Sequence, residues 1–234
     1  MLHPLCGRPL LAWVIGRVRE ARRLDGLLVA TDDARIAELA RGLGVEAVMT
    51  DPALPSGTDR VAAALRGRGV TAAVNVQGDE PLIDPALVDA LAAAVSEPRG
   101  PPMATAAAPF TDRRSATDPS VVKVVCDRTG RALYFSRACI PQVRDGGAPP
   151  APWLRHVGVY AYRASFLRRL VAEPPCALEQ AEKLEQLRAL HLGARIRVIR
   201  VADAGVGVDT PADVARAEAA LRQAGLAPPR RGGA

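Results

Sequence analysis

The stretch Ala72-Ala73-Val74-Asn75-Val76-Gln77-Gly78-Asp79-Glu80-Pro81 decides the fold. Residues 72–76 are a short apolar run of strand length. Gln77-Gly78 breaks the run, and Asp79, Glu80 and Pro81 carry the chain to Asp84, which can cap a helix over 85–95. A buried strand feeding a polar turn and then a helix is the repeating unit of an α/β sheet. The same rhythm extends upstream. A strand is expected over 27–31, a helix capped by Asp32 or Asp33 and ending near Gly42, a strand over 45–49 and a helix over 58–65. Before them, Gly7 and Pro9 open a helix running to about Leu24.

Downstream, a strand over 103–108 continues the pattern, and after Phe110 the rhythm changes. Runs over 121–126 and 131–135 flank Asp127-Arg128-Thr129-Gly130, a hairpin turn signal. Residues 141–153 are rich in Pro and Gly and read as a mobile loop. A strand over 157–162, helices over 164–172 and 177–191, a strand over 195–201 and a helix over 211–224 complete the chain. The expected fold is therefore α/β, a mostly parallel sheet flanked by helices. It forms one domain over 1–224 with a hairpin insertion at about 111–150, and 225–234 is a disordered tail.

Composition narrows the function classes. The 234 residues carry a net charge of +6, with 49% hydrophobic and 24% charged residues. That is a globular composition, and no apolar run reaches the ~20 residues of a membrane-spanning helix. The N-terminal apolar stretch is followed by charges at helical spacing, which reads as an amphipathic helix and not a signal peptide. The four cysteines lack C-x-x-C spacing, which speaks against a zinc site or a secreted disulfide framework and for a cytoplasmic protein. Arginines occur along the whole chain in pairs at most, and only two Trp, three Tyr and three Phe are present. Neither a basic stripe nor a stacking platform is there for nucleic acid, while small anionic substrates suit the charge.

Two acidic residues follow expected strand ends, where α/β sheets bind ligands: Asp79 and Asp209, the latter in Gly-Val-Gly-Val-Asp-Thr-Pro. A carboxylate pair at one sheet edge suits Mg²⁺, which takes oxygen ligands and shares them with substrate phosphates. The bland alternative is a pair of turn or N-cap aspartates. Ser56-Gly57-Thr58-Asp59-Arg60 opens a helix whose N–H groups can receive an anion or a base edge; the alternative is a capping box with Thr58 as cap. His156 and Tyr160 lie four apart on one strand, hence on one face, and with Arg137 they can line a pocket for a polar acid. In the stretch 178–187 the leucines are core, and Glu179, Glu182 and Lys183 read as a solvated face. There is no Walker A sequence and no G-x-G-x-x-G fingerprint.

Read together, these segments resemble the CMP-Kdo synthetases (3-deoxy-manno-octulosonate cytidylyltransferases). The matching stretches are GRPLLAWVIGR, VATDD, SGTDR, VNVQGDEPLI, VVKVV, ALYFSRACIP, RHVGVYAYR, LEQAEKLEQLRAL and GVDTPADV, in order from Gly7 to Val214. The resemblance implies a nucleotide-diphospho-sugar transferase type of fold and transfer of CMP from CTP to the sugar acid Kdo, with release of pyrophosphate and a requirement for Mg²⁺. It implies metal ligation by Asp79 and Asp209, a cytosine site at Gly57, Thr58 and Arg60, and a sugar-acid site at Gln77, Arg137, His156, Tyr160, Glu185 and Gln186. A homodimer formed partly through about 111–150 and a product feeding lipopolysaccharide synthesis are implied as well.

The family pattern also has a first strand and a loop of the type I-P-A-R-x-x-S-x-R-L-P-G-K, directly before the stretch matching Leu2 to Pro9. Its arginine and lysine grip the triphosphate. Met1 falls just after the place of that lysine, and neither Lys123 nor Lys183 substitutes for it. Three readings stand open at this point. The favoured one is a normal enzyme whose start lies upstream. The second is a short, catalytically inactive relative that at most binds sugar or partners. The third is a synthetase for another sugar acid, such as a sialic-acid type, against which LYFSR and LEQLR argue. On the first reading, the 234-residue chain expressed alone is expected to be insoluble or inactive, with in-frame upstream sequence encoding the strand and loop.

Overall fold

The structure is a computed structural model and describes residues 1–227 except Thr111, Ala148 and Pro150. In chain order the elements are β1 (Pro4–Leu5), β2 (Arg8–Pro9), α1 (Leu10–Arg19), β3 (Leu28–Thr31), α2 (Ala34–Gly42), β4 (Glu46–Met49), α3 (Gly57–Ala64), β5 (Ala72–Asn75), α4 (Pro85–Ser96) and β6 (Met103–Pro109). They continue with α5 (Arg113–Thr117), β7 (Lys123–Cys126), β8 (Ala132–Ser136), β9 (Leu154–Arg163), α6 (Ala164–Ala172), α7 (Ala177–Glu182), α8 (Gln186–His191), β10 (Ile196–Arg200) and α9 (Pro211–Gln223). Two compact units result. One takes Met1–Ala64, Val76–Asp89 and the chain from Gly205; the other takes Leu65–Asn75 and Ala90–Ala204.

The first unit is built around α1. Its N-terminus differs from the expected helix start, because Cys6 and Gly7 take positive φ (48° and 80°) and close a two-residue hairpin between β1 and β2. The helix then begins at Leu10. Apolar residues surround it, so it is buried on two sides. Leu10 and Trp13 join Leu5, Ala217, Leu221 and Ala227 in one core. Leu11 and Ile15 join Ala40 and Val45 in another, under the parallel pair β3–β4. Trp13 donates its indole N–H to the Leu5 carbonyl at 2.8 Å, so the ring is buried with its polar atom satisfied. Asp33, not Asp32, caps α2, accepting from the Arg35 amide at 2.8 Å. Residues Gly225 to Ala227, placed in the tail by sequence, turn back on α9 through Leu226 N and Ala227 N to the Leu221 carbonyl. Residues 228–234 of that expected tail lie outside the described residues.

The second unit corrects the expectation of a mostly parallel sheet. Its strand path is β10-β6-β9-β7-β8, with β5 also on β9. Only β6–β10 is a parallel pair there; β9 runs antiparallel to β5, β6 and β7. The helix-strand alternation that predicts parallel pairing stops at the hairpin β7–β8, and β9 is reached from β8 through the irregular stretch 137–153, so no crossover helix sets its direction. At ten residues β9 is long enough to serve three neighbours. The Asp127–Gly130 turn forms as expected, with Asp127 accepting from Thr129 and Arg131 amides at 2.7 and 3.0 Å. The helix α5, not foreseen in the sequence, is capped by Asp112 onto the Ser115 amide at 2.8 Å. In the proline-rich stretch, Trp153 is buried and donates to the Pro141 carbonyl at 2.9 Å.

The helix expected over 177–191 is two helices. Lys183 adopts the left-handed conformation (φ 54°, ψ 49°) and ends α7, and α8 restarts after Glu185. Glu179 and Glu182 therefore do not form the expected solvated face. Glu179 is buried and takes both ends of the Arg188 guanidinium, at 2.7 and 2.8 Å. Arg188 also donates to the Leu170 and Glu173 carbonyls, so every guanidinium nitrogen of the buried pair makes a hydrogen bond. Lys183 alone of the three is exposed.

Candidate functional site

In the first unit, the turn after Val76 closes with Glu80 N on the Gln77 carbonyl at 3.3 Å. The loop before α9 is stitched to it, Val208 N donating to the Asp79 carbonyl at 2.9 Å. That backbone bond brings together Asp79 and Asp209, 130 residues apart in sequence. The helix cap next door is Thr210, not Asp209. The Asp213 carboxylate accepts from Thr210 N at 2.8 Å and Thr210 Oγ1 at 2.7 Å. The Thr210 hydroxyl and Arg216 hold the Asp213 carboxyl down to about 2. The capping task thus falls to Thr210 and Asp213 and leaves the Asp209 carboxylate out of it.

Asp79 is held unfavourably for an ionised acid. Burial raises its carboxyl above the ordinary value, and the neighbouring Asp209 carboxylate raises it further. Its Oδ1 is buried without a hydrogen-bond partner among the described residues. A cation against Oδ1 would satisfy it and relieve the repulsion, so the pair fits a hard divalent ion completed by oxygens from elsewhere. No group of three or more His, Cys, Asp or Glu placed to hold a metal occurs among the described residues.

Gly57, Thr58 and Arg60 open α3. The cap is Ser56, not Thr58: Ser56 Oγ accepts from the Asp59 amide at 3.2 Å and donates to the Asp59 carboxylate at 2.5 Å. Thr58 is buried. Gln77 lies against Gly57, where a Cβ would stand 3.2 Å from Gln77 Nε2, so the missing side chain leaves room for the amide. Arg60 is anchored to Asp32 Oδ2 at 2.9 Å and to the Thr50 hydroxyl, which ties α3 to the ends of β3 and β4.

In the second unit, β9 carries His156 and Tyr160. Four residues along a regular strand span about 13 Å. The rings here are 5.4 Å apart, centroid to centroid. The cause is an irregularity in the ladder. Thr105 pairs with Tyr160, but Ala106 pairs with Val157, so β9 holds Gly158 and Val159 as extra residues. Two extra residues preserve the side-chain parity, so both rings stay on one face and draw together. Tyr160 donates to Gln186 Oε1 at 3.1 Å. Gln186, 2% exposed, keeps its Nε2 without a partner among the described residues. Burial, with the charge of Glu185 contributing, raises the Tyr160 hydroxyl well above its ordinary value. Burial also lowers the His156 imidazole to about 3, so the ring is neutral at pH 7. His156, Tyr160, Glu185 and Gln186 therefore form one cluster.

Arg137 is linked to Glu182 instead. Its amide donates to Glu182 Oε2 at 2.8 Å and its Nε to the Glu182 carbonyl at 2.7 Å. Ser136 Oγ donates to Glu182 Oε1 at 2.6 Å. Lys123, fully buried, donates to the carbonyls of Arg137, Asp118 and Val121. Sequence reasoning missed Glu182 and Lys123 as supports of Arg137, and Thr105 as the partner of His156. Thr105 had one signal, a lone hydroxyl in the alanine-rich run Met103–Pro109.

A family model described as cytidylyltransferase matches residues 1–196. The chain belongs to the cytidylyltransferase family. It is therefore a nucleotidyltransferase enzyme. Among similar cytidylyltransferases, the 3-deoxy-manno-octulosonate cytidylyltransferase of Anaeromyxobacter sp. (strain Fw109-5) is 50% identical over 222 residues, 94% of this chain and 89% of its own length. That of Syntrophobacter fumaroxidans is 49% identical over 216 residues, 91% of this chain and 86% of its own. A solved structure of CMP:2-keto-3-deoxy-manno-octonic acid synthetase complexed with CTP superposes with a TM-score of 0.89 at 38% identity, covering 95% of this chain and 91% of that one. The α/β cytidylyltransferase fold is thus shared along nearly the whole chain. No helix among the described residues is long and apolar enough to cross a membrane.

Proposed function

We propose that the protein transfers CMP from CTP to Kdo, releasing pyrophosphate, and so supplies CMP-Kdo for lipopolysaccharide synthesis. The observation that carries this reading is the likeness, over nearly the whole chain, to a synthetase solved with CTP bound. Mg²⁺ is the proposed cofactor, held by Asp79 and Asp209. When bound it would neutralise triphosphate charge and favour the departing pyrophosphate. The start of α3, with Gly57, Thr58 and Arg60, is assigned to the cytosine.

Gln77, Arg137, His156, Tyr160, Glu185 and Gln186 are assigned to the sugar acid. Such a ligand needs donors for a carboxylate and acceptors for hydroxyls. Gln186 has an amide N–H₂ to give, because its oxygen is occupied by Tyr160. Arg137 contributes a fixed cation, and Glu185 and neutral His156 contribute acceptors. In the reaction the anomeric oxygen forms a bond to the α-phosphorus as the bond to pyrophosphate breaks, and the hydroxyl proton is released. Holding the two substrates in line supplies much of the acceleration. A neutral His156 positions the sugar and does not deliver a proton to pyrophosphate. The enzyme is further proposed to be a cytoplasmic homodimer that inserts in no membrane and binds no nucleic acid. Its dimer contact is assigned to about 111–150.

The test is pyrophosphate release by the purified protein, translated from its whole open reading frame, with CTP, Mg²⁺ and either Kdo or N-acetylneuraminate. Turnover with Kdo and not N-acetylneuraminate is expected. The reverse preference assigns the enzyme to a different sugar acid, and release with neither supports an inactive relative.

A further inference from the structure

The hydroxyl of Thr105 sits at the centre of the irregularity in β9. It is fully buried and lies 2.9 Å from His156 Nε2, 2.8 Å from the Val159 carbonyl and 3.3 Å from the Val157 carbonyl. A hydroxyl has one proton and two lone pairs. Both carbonyls can only accept. The Thr105 proton therefore goes to the closer one, that of Val159, an extra residue of the irregular ladder. The hydroxyl oxygen is left to accept, and the one remaining neighbour that can donate to it is His156 Nε2. A neutral imidazole with its proton on Nε2 has a bare lone pair on Nδ1. Phe135 meets the His156 ring edge-on at 5.1 Å and Tyr160 packs at 5.4 Å, so the ring orientation is held by apolar contact on two sides. No hydrogen bond is made by Nδ1 among the described residues.

We propose that Thr105 is a positioning residue that locks His156 in the Nε2–H tautomer, so that Nδ1 serves as a hydrogen-bond acceptor for a hydroxyl of the bound sugar acid. Thr105 itself touches no substrate; it acts through His156 and, through Val159, on the irregular stretch of β9 that brings His156 to Tyr160. The clause about the sugar rests on the Kdo reading, whereas the tautomer does not. Burial agrees with the lock, since it keeps the ring neutral across the physiological range.

The test uses the protein translated from its whole open reading frame and labelled with ¹⁵N-histidine, with His156→Gln to assign the signal of that residue. Two-bond ¹⁵N–¹H correlation spectra of the free protein are expected to show His156 as pure Nε2–H, unchanged from pH 8 to pH 5. Thr105→Ser, which keeps the hydroxyl, retains that pattern. Thr105→Val, which keeps the shape, gives a tautomer mixture. KM for Kdo rises about tenfold in Thr105→Val, the worth of one ordinary hydrogen bond, with KM for CTP unchanged. An Nδ1–H tautomer in the wild type overturns the proposal. So does a Thr105→Val protein with wild-type spectra and wild-type KM. Should Thr105→Val fail to fold, the wild-type tautomer and the Thr105→Ser spectra still decide. Turnover of a different sugar acid would displace the Kdo reading and leave the spectroscopic result standing.

Discussion

At Asp79 a half-buried carboxylate stands beside a second carboxylate, and its pH behaviour follows from that. Burial first, and then Asp209, raise its folded pKa above the unfolded value. Such a group favours the fold while protonated, and the favour is lost as pH rises through the folded value. Above that folded value, ionised Asp79 therefore weighs against the first unit unless a cation sits on it. Asp79→Asn is expected to raise Tm at pH 7 in chelator and to remove the rise that Mg²⁺ gives the wild type. The same substitution is expected to lower turnover by about 100-fold or more, as lost electrostatic stabilisation of a reacting centre does. Differential scanning fluorimetry with and without Mg²⁺ checks the first part. A variant still stabilised by Mg²⁺ would contradict metal ligation by Asp79. The pairing of Asp79 with Asp209 was anticipated from two expected strand ends, of which only the one before Asp79 exists; β10 ends at Arg200, and Asp209 is brought in by the coil that follows it. The cap was not, since Asp-Thr-Pro-Ala-Asp offers three capping residues and only the geometry selects Thr210 with Asp213.

The elements α7 and α8 make one bent device. Its bend at Lys183 is clamped by Glu179 and Arg188, and Gln186 on α8 reaches Tyr160. Removing one member of a buried ion pair strands the other. Glu179→Gln is expected to cost about 3–5 kcal/mol in urea unfolding, and Glu179→Leu with Arg188→Met to recover most of it. A single-variant cost below about 1 kcal/mol would show the clamp to be unimportant. The leucine spacing of LEQAEKLEQLRAL reads as one continuous helix, and neither Gly nor Pro marks the break. The left-handed Lys183 is fixed by tertiary contacts, to which periodicity is blind. The direction of β9 escaped for a related reason. Strand runs announce themselves through β-branched residues, but pairing direction follows from connections, and the connection into β9 is an irregular loop. His156 and Tyr160 on one face were foreseen from alternation alone; their closeness depends on two extra residues that alternation does not reveal.

At the scale of the whole molecule, the β7–β8 hairpin carries the question of assembly. β8 ends the strand path of its sheet, and Leu133 on it is 61% exposed. An apolar side chain standing out of an edge strand suits a second copy of the chain. Sedimentation velocity is expected to show a dimer, and Leu133→Glu is expected to weaken it at least about 30-fold by burying an unpaired carboxylate. A wild-type monomer at micromolar concentration would contradict the assignment. The fold class and most element positions were legible from short apolar runs alternating with helical patterns. The division into two units was not, because the first unit joins segments from both ends of the sequence.

That joining governs the order of events on the ribosome. The β1–β2 hairpin is bound to α9 by Cys6 N on Glu218 Oε1 at 2.8 Å, and Leu5, Trp13, Leu221 and Ala227 share one core. The second unit is fully translated at Ala204 and can fold from there, whereas the first must wait for α9. Until the chain from Gly205 onward emerges, then, the Leu10 and Trp13 side of the helix is uncovered, and the nascent chain is at its most vulnerable to aggregation.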